Sequence, residues 1–241
     1  MKAIILGAGF GNRLGLSLPK PLIELTPAHT ILDRQLNSLA AILPLHDITV
    51  VGGYRRELIM RAYPFLSFVY NDRYAETNTA ASLAAGLQNI NDDLLWMNGD
   101  VVFHDTILAD FAPDGTQNLV WVSNHPLGDE EIRYTLDSAG QIKELSKTVN
   151  NGLGEAIGIN FVRKPDLSLF KSCLAQCAQA DYFERAIELA IARGMKFAPA
   201  DVEDRFCVEV DFAEDLERAQ GFVRAEARDV AHRLARPLRT S

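Results

Sequence analysis

Cysteine is scarce in this 241-residue chain, three in all, and the three are badly placed to pair. Cys173 and Cys177 fall four apart on a predicted helix and Cys207 stands alone in a predicted strand, with no histidine at zinc-ligand spacing beside them. This argues against a disulfide framework or a thiolate zinc site and for buried thiols in a reducing, cytoplasmic setting. Long apolar runs are missing too. None approaches the ~20 residues that span a bilayer, and the opening MKAIILGAG is too short for the apolar core of a secretory signal. Basic residues are in deficit, 24 against 32 acids, for a formal net charge of −8. A non-specific nucleic-acid binder needs a basic surface to displace counterions, so neither nucleic acid nor membrane is an expected partner. Small anionic ligands stay open, because a local group of cations or a metal can hold them on a negative molecule. Internal repeats and low-complexity segments are absent.

What is present is an ordinary globular composition, 48% hydrophobic and 23% charged, on a chain long enough to bury a full core. The first half alternates short apolar runs with helical periodicity. Lys2–Leu6, Asp47–Gly52, Ser67–Tyr70 and Leu94–Met97 read as strands; Ile31–Leu43, Arg55–Ala62 and Thr79–Ile90, the last capped by Asn78, read as helices. Such alternation predicts an α/β fold, a three-layer αβα sandwich around a mixed, mostly parallel sheet. The second half predicts strands at Leu119–Ser123, Glu131–Leu136, Gln141–Leu145, Ala156–Val162, Lys196–Ala200 and Phe206–Val210, with a turn at Asp137–Gly140. Helices are expected near Leu167–Ala178 and Tyr182–Arg193, then a charged amphipathic one from Ala213 to about Leu234 with a frayed tail, Ala235–Ser241. No linker divides the chain, so residues 1–241 read as one domain.

The first strand runs into Gly7-Ala8-Gly9-Phe10-Gly11-Asn12-Arg13-Leu14-Gly15. Glycines here let backbone N–H groups approach a phosphate. A P-loop would need Lys and then Ser or Thr after the last glycine, where this chain has Asn12-Arg13. A Rossmann dinucleotide loop would need a helix at once, and Pro19-Lys20-Pro21 interrupts it. A structural turn without ligand is a further reading. The last joins the loop to Lys20: Arg13 and Lys20 are the only Lys or Arg between Lys2 and Arg34, and both follow the strand end where a parallel sheet binds ligands. Two cations beside a glycine loop suit a triphosphate whose α-phosphorus must become electrophilic.

Gly7 to Arg13 followed by Pro19-Lys20-Pro21-Leu22 resembles the two-part signature of the nucleotidyltransferases that activate sugar phosphates and related compounds. The residue after Leu6, usually Ala there, is Gly7 here. The resemblance implies a nucleotide-diphospho-sugar transferase-like fold with a nucleotide-binding half (1–125), an acceptor-binding half (126–220) and a C-terminal helix and tail (221–241). It implies that Leu6, Gly7, Ala8, Gly9, Gly11, Asn12 and Arg13 hold the triphosphate and that Lys20 contacts the α-phosphate or the acceptor's phosphate. Trp96-Met97-Asn98-Gly99-Asp100 resembles the strand that ends in a metal-binding Asp, and Val208-Glu209-Val210-Asp211 the strand that supplies the second. Both acids also end apolar runs, at the expected ligand crevice, and two carboxylates with phosphate oxygens suit Mg²⁺. Asp211 is placed to cap the next helix as well.

Tyr70-Asn71-Asp72-Arg73-Tyr74, then Asn78-Thr79 and Ser82-Leu83, is similar to the cytidylyltransferase branch that makes CDP-linked products from phosphocholine, 2-aminoethylphosphonate and inositol phosphate. There the segment lies along base and ribose, so Asn78 and Ser82 are candidates to read cytosine; Asn78 is equally a helix cap. For the acceptor, Glu131, Arg133, Tyr134, Glu155, Asp181, Tyr182 and Phe183 are candidates. Glu130 to Tyr134 has no tryptophan, which turns the expectation from a quaternary ammonium caged by aromatics toward a primary ammonium paired with acids. The expected partners are CTP, or another NTP, and a small phosphorylated or phosphonate acceptor; a homodimer is left open. Competing readings are UTP, dTTP or GTP with a sugar 1-phosphate, a silent nucleotide-sensing subunit, and a glycosyltransferase. The last would carry paired acids where Gly99-Asp100-Val101-Val102 has one.

Overall fold

The computed structural model describes residues 1–111, 116–124 and 131–234, with the backbone only for Asn12 and residues 230–234. Glu130 and the tail expected to fray lie outside the described residues. The first half contains β1 (Lys2–Gly7), a short hairpin of β2 (Glu24–Thr26) and β3 (His29–Thr30), α1 (Ile31–Ala40), β4 (Ile48–Gly52), α2 (Arg56–Ala62), β5 (Ser67–Tyr70), α3 (Thr79–Gly86) and β6 (Leu94–Asn98). Strands β5, β4, β1 and β6 lie side by side in that order, all parallel. Thr30 starts α1 through a capping box with Asp33, and Leu32, Leu36 and Leu39 form its buried stripe. The helix stops before the expected Leu43 because Pro44 disfavours helical geometry just ahead of it. Helix α3 stops at Gly86, which packs so closely that a Cβ there would stand 2.9 Å from Val51 Cγ2.

The second half adds β7 (Val101–Phe103), α4 (Thr106–Ala109), β8 (Asn118–Ser123), β9 (Arg133–Leu136), β10 (Ile142–Ser146), β11 (Gly154–Val162), α5 (Lys164–Leu174), α6 (Glu184–Ala192), β12 (Phe197–Asp201), β13 (Cys207–Glu209) and α7 (Ala213–Leu234). Strand β11 joins the halves. Its C-terminal part runs antiparallel to β6, Ile159 opposite Met97, and its N-terminal part pairs with β9, Glu155 opposite Arg133. Its other edge holds β8, which pairs in parallel with β12. The turn expected at Asp137–Gly140 joins β9 to β10, with Gly140 at φ +75°. Strands β2, β3 and β7 and helix α4 are not anticipated from sequence, being too short to show a period.

Alternation along β1 divides the core in two. Ile4 and Leu6 meet α3, α5 and α6 on one face; Ala3 and Ile5 meet α1 and α2 on the other. These are the three layers expected. A third, smaller cluster of Ile23, Leu25, Ile31, Val102, Val210 and Ala219 seats α7 against β2 and the β7–β13 ribbon. That ribbon positions the site.

Candidate active site

The crevice opens where β1 and β6 end side by side, the ligand edge of a parallel sheet. A Cβ on Gly99 would stand 2.8 Å from the Leu6 carbonyl oxygen, and one on Gly7 2.9 Å from Pro21 Cγ. Missing side chains therefore let the two strand ends and the Pro19–Pro21 segment close on one another, which accounts locally for Gly7 in place of the usual Ala. Ala8 is buried, and its carbonyl accepts from the Tyr54 N–H at 3.1 Å. Phe10 packs on Tyr54 and Tyr74 with ring centroids 5.2 and 5.0 Å away, and Arg55 donates to the Ser17 carbonyl at 2.6 Å. The glycine loop is thereby tied at both shoulders to the segment after β4. Gly11 takes φ +62° and lies so close to Lys20 that a Cβ would stand 3.0 Å from Lys20 Cγ. Asn12 opens a 3₁₀ turn, Asn12–Leu14.

Lys20, whose side chain is 15% exposed, reaches between two carboxylates. Its Nζ donates to Asp100 Oδ2 at 2.8 Å and to Asp211 Oδ1. Arg13 meets Asp211 Oδ2 at 3.4 Å and stands 5.2 Å over the Phe212 ring. The β7–β13 ribbon brings the two acids together from positions 111 residues apart, its pairing extended where the Val210 N–H donates to the Asp100 carbonyl at 3.0 Å. Burial by itself would lower the Lys20 pKa; the charges of Asp100 and Asp211 and the hydrogen bonds to them override it and hold the ammonium above the ordinary lysine range. Asp100 Oδ1 is buried without a hydrogen-bond partner. Among the described residues no three His, Cys, Asp or Glu gather to hold a metal. The donor set here is two hard carboxylates, one with a spare oxygen, which fits Mg²⁺ completed by phosphate oxygens and water.

From this end, where Asp100 and Asp211 balance Lys20 and Arg13, a cavity of about 590 Å³ runs past Glu209 to an acidic end lined by Glu131, Glu155 and Glu184 with Tyr182, Lys147 and Arg218. Burial, then the charge of Glu131 and a hydrogen bond to it, push Glu155 up to about 8 against the pull of Arg218. Glu184 is 6% exposed, its Oε2 has no partner, and burial raises it to about 7 despite Lys147. Glu209 accepts from Asn98 Nδ2 at 2.9 Å, and burial with the charge of Asp100 lifts it well above the carboxylate range. Lys147 Nζ lies 4.9 Å over the Tyr182 ring. Gly158, at φ +71°, makes room: a Cβ there would stand 2.5 Å from Glu209 Oε1.

The structure thus gathers Leu6, Gly7, Gly9, Gly11, Arg13, Lys20, Asp100, Asp211, Glu131, Glu155 and Tyr182 around one cavity. It places other candidates elsewhere. Asn78 caps α3, its Oδ1 accepting from the Thr79 N–H at 2.8 Å. Ser82 is buried and accepts from Asn71 Nδ2 at 3.0 Å. Tyr134 is a core residue, 3% exposed, donating to Asn124 Oδ1 at 2.7 Å. Phe183 is buried against Trp96, Asp181 accepts from the Ala178 N–H at 2.7 Å, and Arg133 sits in β9. Sequence reasoning did not single out Glu184 or Glu209. Glu184 had one signal: it shares the inward stripe of α6 with Ile187, a position expected to be apolar.

Comparisons with known proteins bear on the family and the fold. Residues 3–157 match the MobA-like NTP transferase domain family. Over 91% of its length the chain is 27% identical to CMP-5'-(3-aminopropyl)phosphonate synthase of Streptomyces rubellomurinus, and over 86% it is 26% identical to the bifunctional protein GlmU of Burkholderia thailandensis. It spans only 38% and 48% of those two proteins. Among solved structures, CTP:phosphocholine cytidylyltransferase from Streptococcus pneumoniae superposes with a TM-score of 0.77 at 20% identity, covering 92% of this chain and 98% of that one. The inositol-1-phosphate CTP transferase from T. maritima gives 0.75 at 19%, covering 92% and 96%. No helix of the described residues is long and apolar enough to cross a membrane. With Gly7 to Gly11, Lys20 and Asp100 inside the matched residues, and Asp211 joining them from beyond, the match places the chain in the MobA-like NTP transferase family of nucleotidyltransferases.

Proposed function

We propose that the protein transfers CMP from CTP to a small phosphate or phosphonate acceptor that carries an amine or ammonium, releasing pyrophosphate. The observation that carries this reading is the polarity of one cavity. Arg13, Lys20 and the loop amides stand at one end, with Asp100 and Asp211 free to turn to a metal; Glu131, Glu155 and the unpartnered Glu184 outnumber Lys147 and Arg218 at the other. A doubly ended acceptor, anionic where it reacts and cationic at its tail, fits that gradient better than a neutral sugar does. The names of two similar proteins, an aminopropylphosphonate-linked CMP synthase and a phosphocholine cytidylyltransferase, point the same way.

In this reading the loop amides and Arg13 hold the triphosphate, and Lys20 neutralises charge growing on the α-phosphate as the acceptor oxygen attacks in line. Asp100 and Asp211 would hold Mg²⁺, and the chemistry it would supply is charge screening of the phosphate oxygens. No covalent enzyme intermediate is required. Glu131, Glu155 and Glu184 receive the ammonium beside Tyr182, since an ammonium donates three directed hydrogen bonds that carboxylates accept. Asn78 and Ser82 act in this reading through the α3 cap and the bond to Asn71 rather than by touching the base, and Arg133, Tyr134 and Asp181 act through their own protein partners rather than by touching the acceptor. Free cysteines suit a cytoplasmic setting.

The test is pyrophosphate release across four NTPs crossed with phosphocholine, 2-aminoethylphosphonate, inositol phosphate and glucose 1-phosphate. CTP with an aminated acceptor is expected to dominate. Predominant formation of a UDP-sugar would overturn the reading, and a CDP product on an acceptor without nitrogen would overturn its acceptor half.

A further inference from the structure

Lys20 sits where a metal would sit. Its Nζ bridges Asp100 and Asp211, the two acids assigned to Mg²⁺, and its side chain and that of Asp100 are largely withdrawn from solvent. One oxygen of Asp100 already holds the ammonium while the other, Oδ1, is buried with no partner. We propose that Lys20 is a placeholder cation that closes the metal site until nucleotide arrives, and that triphosphate binding exchanges the ammonium for the metal. This rests on the metal assignment made above and adds an order to it.

The physical case has three parts. An ammonium seated between the two carboxylates competes with a divalent ion for them: Mg²⁺ draws ligands to about 2.0–2.1 Å and repels a second cation beside it, and Nζ already donates to Asp100 Oδ2 at 2.8 Å and to Asp211 Oδ1. Among the described residues no third acid joins the two carboxylates as a metal ligand, an incomplete shell that nucleotide oxygens would complete. And the exchange has a mechanical link, because Gly11 of the phosphate loop lies against the Lys20 stem, so a triphosphate on the loop amides offers the ammonium a new anionic partner. Lys20 then moves from carboxylate to phosphate while the ion takes its place. The resting site is kept nearly neutral, and adventitious divalent ions are kept out.

The test is Mn²⁺ titration of the whole protein by electron paramagnetic resonance, without nucleotide and with a CTP analogue whose α–β bridge cannot be cleaved. Lys20→Ala and Lys20→Met are compared with wild type; the second keeps the apolar stem against Gly11 if the first folds poorly, and circular dichroism checks both. Without nucleotide the variants should bind Mn²⁺ about 10–100-fold more tightly than wild type, the range expected for removing one charged hydrogen-bonded competitor. With the analogue the gap should close to within about threefold. Nucleotide-free affinities that are equal, or weaker in the variants, would overturn the exchange. The nucleotide-free arm involves neither base nor acceptor. Its failure would leave the CMP-transfer reading standing, and a wrong base or acceptor would leave the exchange standing.

Discussion

On the proposed function, recognition of the acceptor turns on Glu184. A buried carboxylate oxygen with no partner costs free energy unless something charged is meant to meet it. Glu184→Gln keeps the shape and removes the charge. The expected result is a rise in KM for the aminated acceptor of about 10–100-fold, the worth of a charged hydrogen bond, with kcat and the KM for CTP changed by no more than about threefold. Steady-state kinetics with each substrate varied in turn would check it; an equal loss with a non-aminated acceptor would make Glu184 merely structural. The contrast with Lys20 shows what sequence can convey at this scale. Lys20, Asp100 and Asp211 could be singled out as candidates because Lys20 stands between two prolines after the glycine loop and each acid ends an apolar run, positions that resemblance to a family signature also marks. Glu184 was not, because a glutamate inside Tyr182–Arg193 reads as a surface acid until the tertiary packing of α6 turns it inward.

At the scale of elements, α3 is tied to the start of α6, where Glu184 stands. Its cap, Asn78, uses Oδ1 on the Thr79 N–H, and Thr79 Oγ1 accepts from the Phe183 N–H at 3.0 Å, directly before Glu184. Asn78→Ala should therefore cost about 1 kcal/mol and lower Tm by roughly 2–4 °C. The preference for CTP over UTP should stay within about threefold of wild type, because both polar ends of the Asn78 side chain already have protein partners. Calorimetry with paired CTP and UTP kinetics would check both halves; a collapse of base preference would return Asn78 to the base. The cap itself and the spans of β5 and α7 were visible in sequence, since each depends on neighbours along the chain. The β7–β13 ribbon was half visible. Phe206–Val210 read as a strand, but its three-residue partner Val101–Phe103 has no period of its own and forms only because β13 returns across 100 residues of chain. The juxtaposition of Asp100 with Asp211 is therefore a tertiary fact that motif resemblance could imply and periodicity could not.

For the molecule as a whole, the acidic end of the cavity should set how stability depends on pH. Glu155 faces Glu131 and Arg218; Glu184 faces Lys147 and Glu188. Their values of about 8 and about 7 in the folded protein exceed the ordinary 4.5 because burial comes first and, for Glu155, the neighbouring Glu131 adds to it. Between 4.5 and those values the folded chain holds protons that the unfolded chain has released, so by linkage its stability falls as pH rises through this window. Asp47, Asp92 and Asp137 act in the opposite sense. Hydrogen bonds from Lys2, from the N-terminal ammonium and from the Gln141 N–H, respectively, hold their pKa values below 3.8, and the stability they contribute is lost only as pH falls through that lower range. The ligand-free protein should accordingly be most stable at about pH 5 and lose Tm steadily toward pH 8. An aminated acceptor reverses the slope, because its ammonium favours the ionised carboxylates; its binding should release protons near pH 7 and tighten as pH rises from 6 to 8. Scanning calorimetry across pH 4–9 with and without 2-aminoethylphosphonate, together with titration calorimetry in buffers of different ionisation enthalpy, measures both effects. A ligand-free Tm that climbs from pH 5 to pH 8, or acceptor binding with no proton release at pH 7, would mean that Glu155 and Glu184 are already ionised in the empty cavity and that its acidic end is not held in reserve for a cation.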